Sequence, residues 1–343
     1  MKYSKLSDYD YHLPRELIAQ KPLEKRDSSR MLVLKRKEKK RIHTTFNYFP
    51  DYLEKGDLLV LNNTKVIPAR LLGNIEGKTA KAELLLLHPA EEGNWVAMVK
   101  PGKKLKPGAR VVLSEEIALT IVDYDREGLR KIVFDTNLPV EKILNSLGSV
   151  PLPPYITRKL DNPEQYQTVY AEEDGSAAAP TAGFHFTDQV FSSLKEKGVN
   201  IATITLHIGP GTFQPVKEED IRKHLMHSER FFLDQDTAAL LNETRKSGSR
   251  IVAVGTTVCR VLETVVDQDG CFNAAEGWTD LYIYPGFNFK AVDAMLTNFH
   301  LPRSTLLMLI SALAGYDLVL ETYREAVEME YRFFSFGDCM FII

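Results

Sequence analysis

Cysteine is scarce in this chain: three residues in 343, Cys259, Cys271 and Cys339, with no CxxC pair. An odd number without metal-ligand spacing argues against a zinc ribbon or a disulfide framework and fits a reducing compartment. Long apolar runs are missing too, since none reaches the ~18 residues that a spanning helix needs. The opening MKYSKLSDYDYHLP has no apolar stretch behind its charges, unlike a secretory signal. Nor is there an excess of positive charge. The net charge is −3, so nucleic-acid contact would have to come from a local patch. Internal repeats and low-complexity tracts are absent. The expectation is a soluble, cytoplasmic protein, with no membrane partner.

What is present is ordinary in bulk. Hydrophobic residues make up 44% and charged residues 26%, enough for a sizeable core, and the length fits roughly two domains. The first seventy residues mix a short helical start at Pro14–Ala19 with strand-like runs at Met31–Leu34 and Asp57–Leu61, and Lys35–Arg41 reads as a charged turn. Between residues 71 and 153, short apolar runs (Ala82–Leu87, Trp95–Val99, Arg110–Leu113, Ile117–Val122, Arg130–Phe134) alternate with Gly- and Pro-containing turns. Close spacing of this kind predicts a small all-β barrel or sandwich, closed by a helix over Val140–Leu147 that Gly148 stops.

After Pro154 strands and helices alternate. The expected order is a helix capped by Thr187, a buried strand Asn200–Leu206, a helix Asp236–Lys246 and a strand Arg250–Val254. A helix Thr257–Val266, a strand Leu281–Tyr284 and a short helix Val292–Leu296 follow, then helices at Arg303–Ala314 and Asp317–Tyr331. This predicts an α/β main domain with mostly parallel pairing, discontinuous over 1–70 and 154–343, with an inserted β-barrel domain at 71–153. Arg158–Pro180 has no period and reads as a flap over a site or as a solvated loop.

Three stretches each set one histidine among glycine, proline, phenylalanine and threonine: Ala179–Thr187 (APTAGFHFT), Leu206–Phe213 (LHIGPGTF) and Thr297–Thr305 (TNFHLPRST). Such composition suits loops around a site, and histidine exchanges protons near neutral pH. In the first, Thr187 caps a helix, so N–H groups near His185 can meet a polar ligand; a packed turn is the plainer account. In the second, Gly209 and Gly211 follow a strand, where ligands of open α/β sheets bind. Phe213 offers a flat face, and His207 sits at the rim. In the third, His300 and Arg303 precede an apolar helix.

Other candidates follow the same logic. Gly255-Thr256-Thr257 turns from strand to helix with Arg260 a turn later, as a polar-ligand loop or as a simple cap. Asn62-Asn63-Thr64 follows another strand, with Arg70 beyond. His224 and His227 would share one face of a helix. No third ligand at recognisable spacing and no HExxH motif accompany them, so His227 with Glu229 reads better as an acid–base pair than as a metal site. Lys100, Lys103, Lys104, Lys106 and Arg110, around two Pro-Gly turns, form a possible phosphate-contacting edge.

Taken together, Tyr9–Leu13, Arg26–Leu34 (RDSSRMLVL), Gly56–Arg70 (GDLLVLNNTKVIPAR), Ala179–Thr187, Thr205–Val216, His227–Glu229, Val254–Arg260 and Thr279–Leu313 resemble the S-adenosylmethionine:tRNA ribosyltransferase-isomerases of queuosine biosynthesis. The resemblance implies transfer and isomerisation of the ribosyl moiety of S-adenosylmethionine onto 7-aminomethyl-7-deazaguanine at the tRNA wobble position. Epoxyqueuosine forms, and adenine and methionine leave. It also implies a monomer with a β-barrel inserted in an α/β domain, S-adenosylmethionine as co-substrate, and no metal or redox cofactor. On that basis His185, His207, His227 and His300 would converge on the ribose, with Glu229 as a further carboxylate. Phe184 and Phe213 would stack on a base. Asn62, Asn63, Thr64, Arg70, Thr181, Gly183, Gly209, Gly211, Gly255, Thr256, Thr257, Arg260 and Arg303 would bind substrate, and the Lys100–Arg110 edge would dock the anticodon arm. A non-catalytic RNA-binding protein would leave the histidine loops idle, and a metal-dependent hydrolase would need ligand spacing that is missing.

Overall fold

The computed structural model describes residues 2–343 except Lys159, Asp161, Pro210, Thr212–Pro215 and the side chain of Glu127. The chain forms two compact units: Met1–Thr64, Pro154–Glu172 and Pro180–Ile343 make one, Lys65–Pro153 and Glu173–Ala179 the other.

The larger unit is built on a nine-stranded sheet. From one edge its strands run Ala275–Thr279, Glu229–Leu233, Asn200–Leu206, Leu58–Asn62, Ile251–Val254, Ala294–Asn298, Cys339–Ile342, Arg30–Lys35 and Lys40–Thr45. The four strands from Asn200–Leu206 to Ala294–Asn298 pair parallel, as do Cys339–Ile342 and Arg30–Lys35. The remaining neighbours are antiparallel. The α/β reading holds, but the sheet is evenly mixed rather than mostly parallel. One source of the difference is Lys40–Thr45, an edge strand whose polar KRIHTT pattern hides it; such charge is what protects an exposed edge.

Two expected elements are replaced. Val292–Leu296 is not a helix, because Ala294–Asn298 is a wholly buried strand. A short apolar run fits either state by pattern alone, and here Asp293 accepts a hydrogen bond from the Ile251 amide (2.8 Å) where the parallel ladder starts. Leu281–Tyr284 is not a strand. The Leu281 carbonyl receives Arg260 Nε (2.9 Å) and its amide donates to Thr279 Oγ1 (3.3 Å), so side chains take the place of a ladder. Pro14–Ala19 shrinks to a 3-10 turn at Arg15–Leu17. Helix starts were more legible: Thr187 Oγ1 accepts from Val190 N (3.3 Å) and Ser304 Oγ from Leu307 N (3.2 Å). Among the described residues no single helix is long and apolar enough to cross a membrane.

The smaller unit is a closed barrel, in the order Arg130–Phe134, Trp95–Lys100, Lys81–Pro89, Arg70–Ile75, Arg110–Val112 and Ala118–Tyr124. Leu71, Leu84, Leu86, Val111, Leu119, Ile121 and Ile132 alternate inward and fill it. Arg130 is buried and braces the lysine-bearing loop. Its Nε donates to the Leu105 carbonyl (2.8 Å) and Nη2 to that of Gly102 (3.1 Å), while Nη1 reaches Gly128 (2.6 Å) and Leu129 (3.0 Å).

Candidate active site

The carboxyl ends of the four parallel strands carry most of the polar residues expected to matter. Asn62 ends the strand Leu58–Asn62 and is fully buried. Its Oδ1 accepts from Leu206 N (3.0 Å) and Thr64 N (3.1 Å), and its Nδ2 donates to Leu206 O (3.0 Å) and reaches Thr257 Oγ1 at 3.5 Å. The amide thereby joins two strand ends to the first turn of the helix Thr256–Val265. Asn63 Oδ1 accepts from Thr205 Oγ1 (2.7 Å), so this pair is structural cement. Next to them Thr64 Oγ1 meets His207 Nδ1 at 2.9 Å, and the half-buried ring of His207 reaches the rim.

Gly255 makes the turn from strand to helix. Its φ of +89° is one that side-chain-bearing residues rarely adopt, and a Cβ there would lie 3.5 Å from Ala182. That contact brings the Thr181–His185 turn against the start of the helix Thr256–Val265. Within the turn His185 is 3% exposed. Ser29 Oγ lies 2.7 Å from its Nδ1 and Asn298 Nδ2 3.3 Å from its Nε2. Asn298 Nδ2 also donates to Phe334 O (3.1 Å), which fixes the amide's orientation, so Nε2 of His185 accepts and Nδ1 donates. Phe334 has a φ of +71°, strained for a bulky residue. Asn298 Oδ1 is buried and has no hydrogen-bond partner among the described residues, a hallmark of sites completed by a ligand or water.

Burial, helped by the charges of Arg332 and Arg26, pushes His185 down to about 3; burial alone takes His300 to about 3. His300 Nε2 pairs with Thr297 Oγ1 (3.0 Å), its backbone amide donates to Tyr323 Oη (3.0 Å), and Tyr11 Oη donates to its carbonyl. Both rings are neutral at physiological pH. An unfolded histidine takes up a proton near 6.5, whereas these two do not until about 3. Folding stability that is complete above pH 6.5 is therefore lost as the pH falls through that window, by up to ~1.4 kcal/mol per pH unit for each ring. Urea midpoints at pH 6.5 and 5 should show a flatter decline in the His185→Gln, His300→Gln double variant than in the parent. Equal declines would mean that the rings are not held neutral.

Glu229 opens a strand and is 4% exposed, as is Arg260. Its Oε1 accepts from Gly209 N (3.0 Å), and its Oε2 pairs with Arg260 Nη1. Arg260 is further bonded to the carbonyls of Leu281 (2.9 Å) and Thr279 (3.2 Å). His227 precedes this pair in an irregular segment, not on a helix, because the 3-10 turn Ile221–Lys223 stops before His224. A Cβ on Gly211 would lie 2.2 Å from His227 Cδ2, so the half-buried ring lies on the Gly211 backbone.

Other expected residues have different surroundings. Phe184 is buried, with Arg26 over its ring at 5.6 Å and Phe336 stacked at 5.7 Å, so the ring is committed within the protein. Arg303 pairs with Asp10 at the surface, and Arg70 pairs with Glu83 (2.8 Å) in the barrel unit. Arg110 is held by Glu76 (2.6 Å) and Asp135 (2.8 Å), whose hydrogen bonds raise its pKa, so its charge is already matched. Lys100, Lys103, Lys104 and Lys106 are exposed. Phe213 lies outside the described residues. Among those described, no group of three or more His, Cys, Asp or Glu side chains is arranged to hold a metal. The solvated-loop account of Arg158–Pro180 fails at Tyr166, Gln167 and Thr168, which are buried. Ser29, Asn298 and Arg26 had no role in the sequence reading. Two of them sit in the RDSSR stretch, yet only the fold shows what they touch.

The queuosine biosynthesis protein family model matches residues 6–342. The chain is 54% identical over 340 residues to the S-adenosylmethionine:tRNA ribosyltransferase-isomerase of Symbiobacterium thermophilum, covering 99% of this chain and 100% of that protein. It is 53% identical over 339 residues to the protein of the same name from Acetivibrio thermocellus, covering 98% and 99%. The crystal structure of S-adenosylmethionine tRNA ribosyltransferase from Thermotoga maritima is similar at 41% identity and a TM-score of 0.57, over 98% of this chain and 100% of that one. The chain belongs to the queuosine biosynthesis family of S-adenosylmethionine:tRNA ribosyltransferase-isomerases.

Proposed function

We propose that the protein transfers the ribosyl moiety of S-adenosylmethionine to 7-aminomethyl-7-deazaguanine at the wobble position of tRNA. Isomerisation then yields epoxyqueuosine and releases adenine and methionine. The observation that carries this reading is the gathering of Asn62, Thr64 with His207, Thr257, and Asn298 with His185 at the carboxyl ends of four adjacent parallel strands, where open α/β sheets bind ligands. The names of the relatives supply the substrate class.

The chemistry requires a proton for the departing adenine and removal of protons from the attacking amine or the carbon beside the sulfonium, both general acid–base tasks. His207 and His227, with rings reaching the surface, are assigned to them. His185 and His300, buried and held neutral, are left to support the fold around the site. No metal or redox cofactor enters this reading, which has the protein acting as a cytoplasmic monomer with three free cysteines. The exposed Lys100, Lys103, Lys104 and Lys106 dock the anticodon arm, without Arg110.

The test is adenine release from S-adenosylmethionine, followed chromatographically with tRNA carrying the aminomethyl base. One adenine per modified tRNA is expected, and none without that tRNA. His207→Ala and His227→Ala should each slow release by about 100-fold or more. In a parallel arm, Lys103, Lys104 and Lys106→Ala together should weaken tRNA binding and flatten its salt dependence. Adenine formed without tRNA, or both histidine variants at full rate, defeats the reading.

A further inference from the structure

A pocket beside His185, in the larger unit, contains a cation that forms no salt bridge among the described residues. Arg26, Ser29, Gln165, His185, Ser335 and Gly337 help to line it, and part of it is open to solvent. Arg26 is half-buried there. It donates to the backbone carbonyls of Gln167 (2.7 Å) and Glu164 (3.2 Å), which uses two of the five N–H donors of a guanidinium. Among the described residues no carboxylate is within salt-bridge range of it. Burial lowers its pKa, and the charge of Glu164 opposes that shift. A desolvated cation of this kind is usually paired.

Beside the apolar Pro22, Leu23, Phe184 and Phe336, the wall carries polar groups that suit an anion. His185 is neutral and repels nothing. Ser29 Oγ and Ser335 Oγ are hydroxyls already oriented by His185 Nδ1 (2.7 Å) and Tyr155 Oη (2.5 Å). A second cation acts on the same ring: Arg332 lowers the His185 pKa electrostatically, and its Nη1 is buried without a hydrogen-bond partner among the described residues. Ser335 and Gly337 belong to a tight turn entered through the strained Phe334, and a Cβ on Gly337 would lie 2.4 Å from Arg332 O.

We propose that this pocket is an oxyanion site in which the free edge of Arg26 grips a carboxylate or phosphate, with the Ser29 and Ser335 hydroxyls beside it. The inference rests on the proposed function, whose two substrates each bring one such group: the amino-acid carboxylate of S-adenosylmethionine and the phosphates of tRNA. Planar, bidentate recognition of either is what arginine does better than lysine.

The experiment reads equilibrium binding, not turnover, for the parent, Arg26→Gln and Arg26→Lys. The probes are S-adenosylmethionine, its decarboxylated analogue and tRNA. If the anion is the donor's carboxylate, Arg26→Gln weakens S-adenosylmethionine about 10- to 100-fold, the loss of a charge-assisted pair. The analogue is weak in the parent and no weaker in the variant, and Arg26→Lys falls between. If the anion is an RNA phosphate, S-adenosylmethionine is unaffected, tRNA weakens, and the slope of log affinity against log salt falls by ~0.7–0.9. Equal weakening of S-adenosylmethionine and its analogue with an unchanged tRNA slope would reduce Arg26 to a brace for Glu164 and Gln167 and overturn the proposal. So would unchanged binding throughout. A parent protein that binds both substrates but releases no adenine defeats the functional reading and leaves these arms legible.

Discussion

Glu229→Ala should cost about 3–5 kcal/mol of folding stability, because it strands the Arg260 guanidinium in the interior. Both side chains are about 4% exposed, and Arg260 is fixed by the carbonyls of Leu281 and Thr279, so it cannot swing to water. That loss is a large part of the ~5–15 kcal/mol by which a protein is stable. Replacing both partners with methionine should recover most of it, since a packed apolar pair avoids the desolvation that two charges must offset. A double variant as unstable as the sum of the singles would show no coupling. Glu229→Gln separates structure from chemistry. The amide still offers an acceptor to Gly209 N, which Glu229 now holds at 3.0 Å. Normal thermal stability with turnover abolished would make the carboxylate a reacting group. Parallel losses of both would make it the anchor of the Gly209 loop, which is the expected result.

Gly183→Ala should cost about 3 kcal/mol, at the upper end for an overpacked site. A Cβ there would sit 2.0 Å from Tyr170 Oη and 2.8 Å from Thr168 Cγ2. The Tyr170 hydroxyl is buried and has no hydrogen-bond partner among the described residues. Tyr170→Phe should therefore stabilise the protein by about 1 kcal/mol and partly rescue Gly183→Ala by removing the colliding oxygen. Calorimetric unfolding of the two single variants and the double variant checks both statements. A destabilising Tyr170→Phe would mean that the hydroxyl is satisfied in solution.

Much of the architecture could be read from residue order. The strand–turn spacing after Leu71 gave the barrel, and Thr187 marked a helix start because capping is local chemistry. The failures share one cause. Ala294–Asn298 is a strand because its neighbours Ile251–Val254 and Cys339–Ile342 offer ladders on both sides, and a five-residue run carries no sign of those neighbours. The site was legible as a set of loops but not as a set of contacts. Ser29 and His185 are 156 residues apart, and Glu229 and Arg260 are 31 apart. No local pattern announces that a histidine's two nitrogens are already engaged, or that a phenylalanine ring is covered. Exposure separated His207 and His227 from His185 and His300, and exposure follows from packing.

Arg130 has a consequence beyond the barrel's own integrity. By clamping the carbonyls of Gly102 and Leu105, it settles the main-chain path of the lysine-bearing loop before any partner arrives. Freezing a residue's backbone takes ~1–2 kcal/mol, and here folding has already met that expense. Were tRNA to dock at this edge as proposed, it would meet a main chain already fixed at Gly102 and Leu105, and only the lysine side chains would settle on contact.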